Sequence, residues 1–258
     1  GWGVLLFDYR GVSMSKDSHA DRDITLDHWI DLDLPAAVIA ARAHSHARFL
    51  AVLAHSIGGQ LLGLSPARTT VDGALLIAAQ RGIPCLFRGT ARLRVGLAYG
   101  VFPLLIRLLG QLPVSRFTLP EHCPGGALLQ WVRWGRTGVF TDAVGRNIEH
   151  RFADFRAPLT MVGIADDQDY APRAAVDALA RLYTGTRVRR ETLVPLAHDL
   201  RAIGHFGVFR PHAIRTLWPQ VDAWLRELEF HRQPVACAGH FASPTRARHG
   251  APGTRAQP

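Results

Sequence analysis

Phe49-Leu-Ala-Val-Leu-Ala54 is an unbroken apolar run, and it passes at once into His55-Ser56-Ile57-Gly58-Gly59-Gln60. A short apolar run without alternation is the mark of a strand buried on both faces, as in a parallel sheet. The glycines that follow predict a tight turn into a helix. Such a turn leaves room only for small residues two before and two after its central serine, and Ala54 and Gly58 occupy those places. Alanine stands where glycine is usual, which the sterics of the turn accept. The turn lifts the Ser56 hydroxyl above the sheet. It also aims the Ile57 backbone N–H at an oxyanion beside the positive end of the helix.

Outward from this point, strands and helices alternate. Gly3-Val-Leu-Leu-Phe-Asp8 reads as an earlier buried strand that breaks into a loop at Gly11. A helix is expected from Asp27 to His44, with Pro35 tolerable only near a first turn. Val71 to Ala79 is the next strand candidate. From about Ile83 to Phe155 the rhythm stops, and a segment rich in Leu, aromatics, Gly and Pro reads as a mainly helical insertion. It then resumes with a strand at Pro158–Ile164, a helix from Pro172 to Tyr183, a strand at Val188–Val194 and a last helix from Pro219. The expected division is therefore residues 1–82 and 156–232 as two parts of one α/β core, 83–155 as a lid and 233–258 as a disordered tail. The fold class is α/β: a mostly parallel sheet with helices on both faces, whose site lies at the carboxyl ends of the strands.

A serine hydroxyl needs a base, and the base an orienting acid. With this kind of turn they follow in the order Ser, acid, His. His205, in Ile203-Gly-His-Phe206, comes after the last strand candidate, and His198 competes with it beside Asp199. We take His205. Asp166, Asp167 and Asp169 crowd the loop after the Pro158–Ile164 strand. Counting from Gly163 favours Asp166, and counting from Pro158 favours Asp167. We take Asp167, with Asp166 as the alternative. Hard cations need more oxygen ligands at other spacings, so no metal is expected.

The chain has 258 residues, 48% hydrophobic and 20% charged, which fits a globular domain and excludes coiled-coil, collagenous and low-complexity classes. A net charge of +9 would suit an acidic partner, but Lys16 is the only lysine and four arginines (Arg232, Arg246, Arg248, Arg255) cluster in the tail. No nucleic-acid reader motif accompanies the charge, so nucleic acid is not expected as a partner. Cys85, Cys123 and Cys237 show no CxxC spacing, which argues for a reducing, cytoplasmic setting and against a disulfide framework. The longest apolar run, Val95 to Ile106, is well short of the roughly 20 residues of a membrane span.

Taken together, Asp8-Tyr-Arg-Gly11, His55-Ser-Ile-Gly-Gly-Gln60, Gln130-Trp-Val-Arg-Trp134, the Asp166-Asp167…Ala171-Pro172 stretch and Ile203-Gly-His-Phe206…Phe209-Arg210 resemble a family. It is that of the bacterial α/β-hydrolases related to serine aminopeptidase and monoglyceride-lipase-like enzymes. The resemblance covers roughly Gly3 to Leu228. It implies an α/β-hydrolase fold with a lid, a Ser56–Asp167–His205 triad, Ile57 as an oxyanion donor, a small-molecule acyl substrate and no cofactor. Trp131 and Trp134 are weaker candidates for lining an acyl pocket, since aromatics so spaced also build lid cores. The strand ending at Asp8 resembles the fourth of eight in that fold. The early strands, with the loop that supplies a second oxyanion N–H, are thus expected to be missing from this chain. The expected activity is hydrolysis of a carboxylic ester or related acyl compound. Acyl transfer by the same triad and an inactive binding protein of the same fold are the alternatives.

Overall fold

The computed structural model describes residues 1–16, 23–45, 47–109 and 123–231. The tail expected from residue 233 lies outside them. Helix α1 (Leu26–His28) passes through a π turn, Trp29–Asp33, into α2 (Leu34–His44). The π turn explains how Pro35 sits well inside a continuous helical path. Pro35 has no N–H to give to a carbonyl four residues back, and the Leu34 N–H reaches instead to the Trp29 carbonyl, five back.

Then follow β1 (Ala51–His55), α3 (Ile57–Leu64), β2 (Gly73–Ile77), α4 (Gly89–Leu109), α5 (Gly125–Thr137), β3 (Leu159–Ile164), α6 (Arg173–Ala180), β4 (Val188–Leu193), α7 (Ala213–Thr216) and α8 (Trp218–Phe230). The four strands form one sheet in the order β1-β2-β3-β4, all parallel. Strand β2 is buried along its whole length, as its apolar sequence requires. Its two faces meet different helices. A methyl group on Gly59 of α3 would overlap Ala79 and touch Leu76, whereas one on Gly73 would touch Leu228 of α8. Residues 73 and 76 point to opposite faces because side chains alternate along a strand. Helices therefore cover both faces.

One expected strand is absent. Residues 1–9 carry no regular structure, and Val4 and Leu6 are 76% and 90% exposed. The apolar run there has no hydrogen-bonded neighbour, and an unpaired strand does not offset the entropy of ordering it. It is held at its ends: the Trp2 indole donates to Asp222, while Tyr9 stacks on Trp29. At its close, Arg10 forms a 2.6 Å ion pair with Asp33, and its carbonyl accepts from the Trp29 indole.

Between β2 and β3 the described residues are mainly helical. One face of α4 (Ala91, Tyr99, Phe102, Ile106) is buried, in part against Leu128 and Val132 of α5. Leu93, Leu97, Leu104 and Leu108 on the other face are exposed. Among the described residues no helix is long and apolar enough to cross a membrane.

Candidate active site

The carboxyl end of β1 delivers Ser56 into the turn that starts α3. Its backbone has φ +52 and ψ −119, a region that L residues rarely adopt. Such strain persists only where the surroundings enforce it. Here the Ser56 N–H donates 3.0 Å to the Ile77 carbonyl of β2, and packing holds the turn from the other side. A Cβ on Gly58 would stand 3.3 Å from that of Ala54, so the turn is closed tightly over two small residues.

His205 is buried, and its Nε2 lies 3.0 Å from the half-buried Ser56 Oγ. Its Nδ1 lies 2.5 Å from Asp167 Oδ2, and Asp167 is itself buried. A carboxylate only accepts, so the Nδ1 carries the proton and the Nε2 presents a lone pair to the serine. The other Asp167 oxygen accepts from the Tyr170 N–H at 3.1 Å. The Tyr170 ring stacks on the imidazole, 5.1 Å between centroids and 27° between planes.

The neighbouring carboxylates go elsewhere. Asp166 Oδ2 accepts from the backbone N–H groups of Ile203 and Gly204, at 2.9 and 3.1 Å. Asp169 pairs with Arg94 of α4 at the protein surface. His198 ends a short 3₁₀ turn, Pro195–His198, after β4. Among the described residues no group of three or more His, Cys, Asp or Glu side chains is placed to hold a metal ion.

His55, next to the serine, carries no sequence pattern that assigns it a role. Its Nε2 lies 2.8 Å from the His205 carbonyl, which can only accept, so this nitrogen carries the proton. Burial first, and then the nearby His205, lowers the His55 pKa from 6.5 to about 4, so the ring is neutral at ordinary pH. Its ring also contacts those of His205, Phe206 and Phe209. Tyr170 likewise stands out only in the folded chain. The sequence signal for both is adjacency to a site residue: His55 precedes Ser56, and Tyr170 lies three residues after Asp167.

Trp134 is buried, donates its indole N–H to the Thr141 carbonyl at 2.7 Å and packs edge-on against Phe140. Trp131 is half-buried and edge-on to Tyr99.

No family model and no curated protein matches the chain. Solved structures do. A protein described as a non-heme bromoperoxidase, BpoC, from Mycobacterium tuberculosis superposes with a TM-score of 0.51 at 18% identity, over 86% of this chain and 80% of that one. A thermophilic esterase from Thermogutta terrifontis superposes with a TM-score of 0.50 at 13% identity, over 86% and 78%. The chain has the α/β-hydrolase fold. Within the α/β-hydrolase fold, Ser56 directly follows β1, Asp167 lies in the turn after β3 and His205 in the longer loop after β4, the carboxyl-end side where such sheets place their ligands. Three separate loops must converge to bring them together.

Proposed function

We propose that the protein is a serine hydrolase that cleaves a carboxylic ester or a related acyl compound through an acyl-enzyme. The observation that carries this reading is the chain of hydrogen bonds from Ser56 through His205 to Asp167, 3.0 and 2.5 Å long, ending on a serine held in a strained backbone. In the proposed reaction the His205 Nε2 takes the proton of the Ser56 hydroxyl as Oγ attacks the substrate carbonyl. Asp167 holds the imidazole in the required tautomer and offsets the positive charge it acquires. The Ile57 N–H, at the start of α3, donates to the oxyanion of the tetrahedral intermediate. His205 then returns the proton to the leaving oxygen, the tetrahedral intermediate collapses, and an ester of Ser56 remains. Water, deprotonated by the same nitrogen, attacks that ester, and His205 passes the proton to the Ser56 oxygen as its bond to the carbonyl carbon breaks and the acid leaves. That a neighbour of this fold is named an esterase agrees with the reading.

Residues 83–155 would serve as a lid. The surface pair between Arg94 of α4 and Asp169 holds the helical segment beside the loop that carries Asp167.

The test is labelling with a fluorophosphonate, which reacts only with an activated serine. Covalent modification mapped to Ser56, and lost in Ser56→Ala, is the expected result. A folded sample that takes up no probe would overturn the reading and leave a binding protein of the same fold. Turnover of aryl esters against matched amides and thioesters would then assign the acyl class.

A further inference from the structure

His205 does not reach Ser56 from a strand or a helix. It hangs from the loop between the 3₁₀ turns Pro195–His198 and Gly207–Phe209, so its position depends on what holds that loop. Two side chains grip its backbone, one from the turn after β3 and one from the end of β1. One carboxylate oxygen of Asp166, just beyond β3, receives both the Ile203 and the Gly204 N–H. Gly204 has φ +62, so the chain turns sharply there, directly before His205. From the opposite side His55, the last residue of β1, donates to the His205 carbonyl at 2.8 Å.

We infer that Asp166 and His55 are positioning residues, a pair of clamps that fix the His205 backbone between β3 and β1 and so set the distance from Nε2 to the Ser56 hydroxyl. The inference rests on the proposed hydrolase reading. The two acids of the doublet then have separate roles, for Asp167 meets the imidazole whereas Asp166 grips the backbone that carries it. Both residues lie in the turn after β3, closed by the Asp167 N–H on the Ile164 carbonyl at 3.1 Å, and they leave it toward different partners, Asp167 to the ring and Asp166 to the backbone before it. The clamps are also chemically distinct. The Asp166 carboxylate accepts two N–H groups, a pattern in which an asparagine oxygen can replace it. His55 must donate, and a glutamine or asparagine amide can do that.

A misplaced base is costly because proton transfer needs the two heavy atoms within roughly 2.6–3.2 Å, and a shift of about 1 Å is worth on the order of a hundredfold in rate. The expected result is therefore a graded one. Asp166→Ala should slow fluorophosphonate labelling and ester turnover by about 10- to 100-fold, chiefly in kcat. Asp166→Asn should restore most of the rate. Asp167→Asn should not be tolerated, because the amide no longer enforces the Nδ1–H tautomer. His55→Ala should resemble Asp166→Ala, with partial recovery in His55→Gln.

The measurement that separates positioning from mere loss of stability is the downfield proton resonance of the His205 Nδ1–H, recorded well below the unfolding midpoint. It should broaden or vanish in Asp166→Ala while the far-ultraviolet circular dichroism stays native, and return in Asp166→Asn. Should Asp166→Ala label as fast as wild type with the resonance intact, the clamp is refuted although the hydrolase reading stands. Should Asp166→Asn be as impaired as Asp166→Ala while Asp167→Asn remains active, Asp166 is the imidazole's partner and the two roles are reversed. Absence of labelling in the wild type would instead count against the hydrolase itself.

Discussion

Asp27 and Gln130 stand 103 positions apart in the chain and are joined by a 2.7 Å hydrogen bond. The same Gln130 amide donates to the Thr141 carbonyl, and its oxygen accepts from the Leu26 N–H at 2.9 Å. The second Asp27 oxygen accepts from the Ala143 N–H. One glutamine thus pins α5 to the start of α1 in a buried place where water cannot substitute. Gln130→Ala strands the Leu26 N–H and one Asp27 oxygen, while the Thr141 carbonyl keeps the Trp134 indole. It should cost about 1–3 kcal/mol of stability and lower the thermal unfolding midpoint. Gln130→Leu should be no better, because the stranded partners, and not the lost volume, set the cost.

Stability should also depend on pH through His55. The unfolded ring takes up a proton near pH 6.5, whereas the folded one resists until about pH 4. The unfolded state therefore binds more protons across that window, and stability falls as the pH drops through it. With each tenfold change in proton affinity worth about 1.4 kcal/mol, the loss is on the order of 3 kcal/mol. Denaturant titrations at a series of pH values between 7 and 4 measure it. In His55→Gln the slope over this window should shrink markedly; an unchanged slope would show that other groups carry it.

The glycines of the turn have unequal tolerance. A methyl group at position 59 would overlap Ala79, which lies in a fully buried stretch, whereas one at position 58 meets Ala54 at 3.3 Å. Gly59→Ala should therefore destabilise by about 1–3 kcal/mol through overpacking. Gly58→Ala should cost less, and chemical denaturation of the two variants side by side gives the order.

Ser56 should trade stability against activity. Its φ of +52 is strained for serine but not for glycine. Ser56→Gly should raise stability by about 1–2 kcal/mol and abolish ester turnover, whereas Ser56→Ala should abolish turnover without the gain. Equal unfolding midpoints for the two variants would show that the backbone strain is not stored there.

The sequence is most informative where the local rule is steric. Ala54, Ser56 and Gly58 can be read as a turn because only small residues fit it, and the alternation of strand and helix follows from apolar runs. It is least informative where a single-residue offset matters. Asp166 and Asp167 differ by one position, so counting along an inferred strand cannot separate them, and only the folded chain puts Asp167 against the imidazole. The run Val4–Phe7 shows a different failure. Apolarity says that a segment suits burial, but pairing is a property of its neighbours, and here none is hydrogen-bonded to it. The π turn before Pro35 lies beyond any local pattern, since it depends on carbonyls shifting to new partners.

The two borders of the sheet are unlike in kind. Along β4, Arg189 pairs with Glu191 and Glu227, and Arg190 with Asp177, so an approaching strand would meet fixed charges that it must desolvate. Along β1 the side chains are Ala51, Val52, Leu53, Ala54 and His55, with Leu53 40% exposed, and among the described residues β2 is its one strand partner. The exposed side chain of that border, Leu53, is apolar and carries no charge to repel a newcomer. By the charge rule, an added strand should be opposed more strongly along β4 than along β1, the border beside Ser56. A substitution that places lysine at Leu53 would close the permissive border and make both margins of the sheet self-limiting.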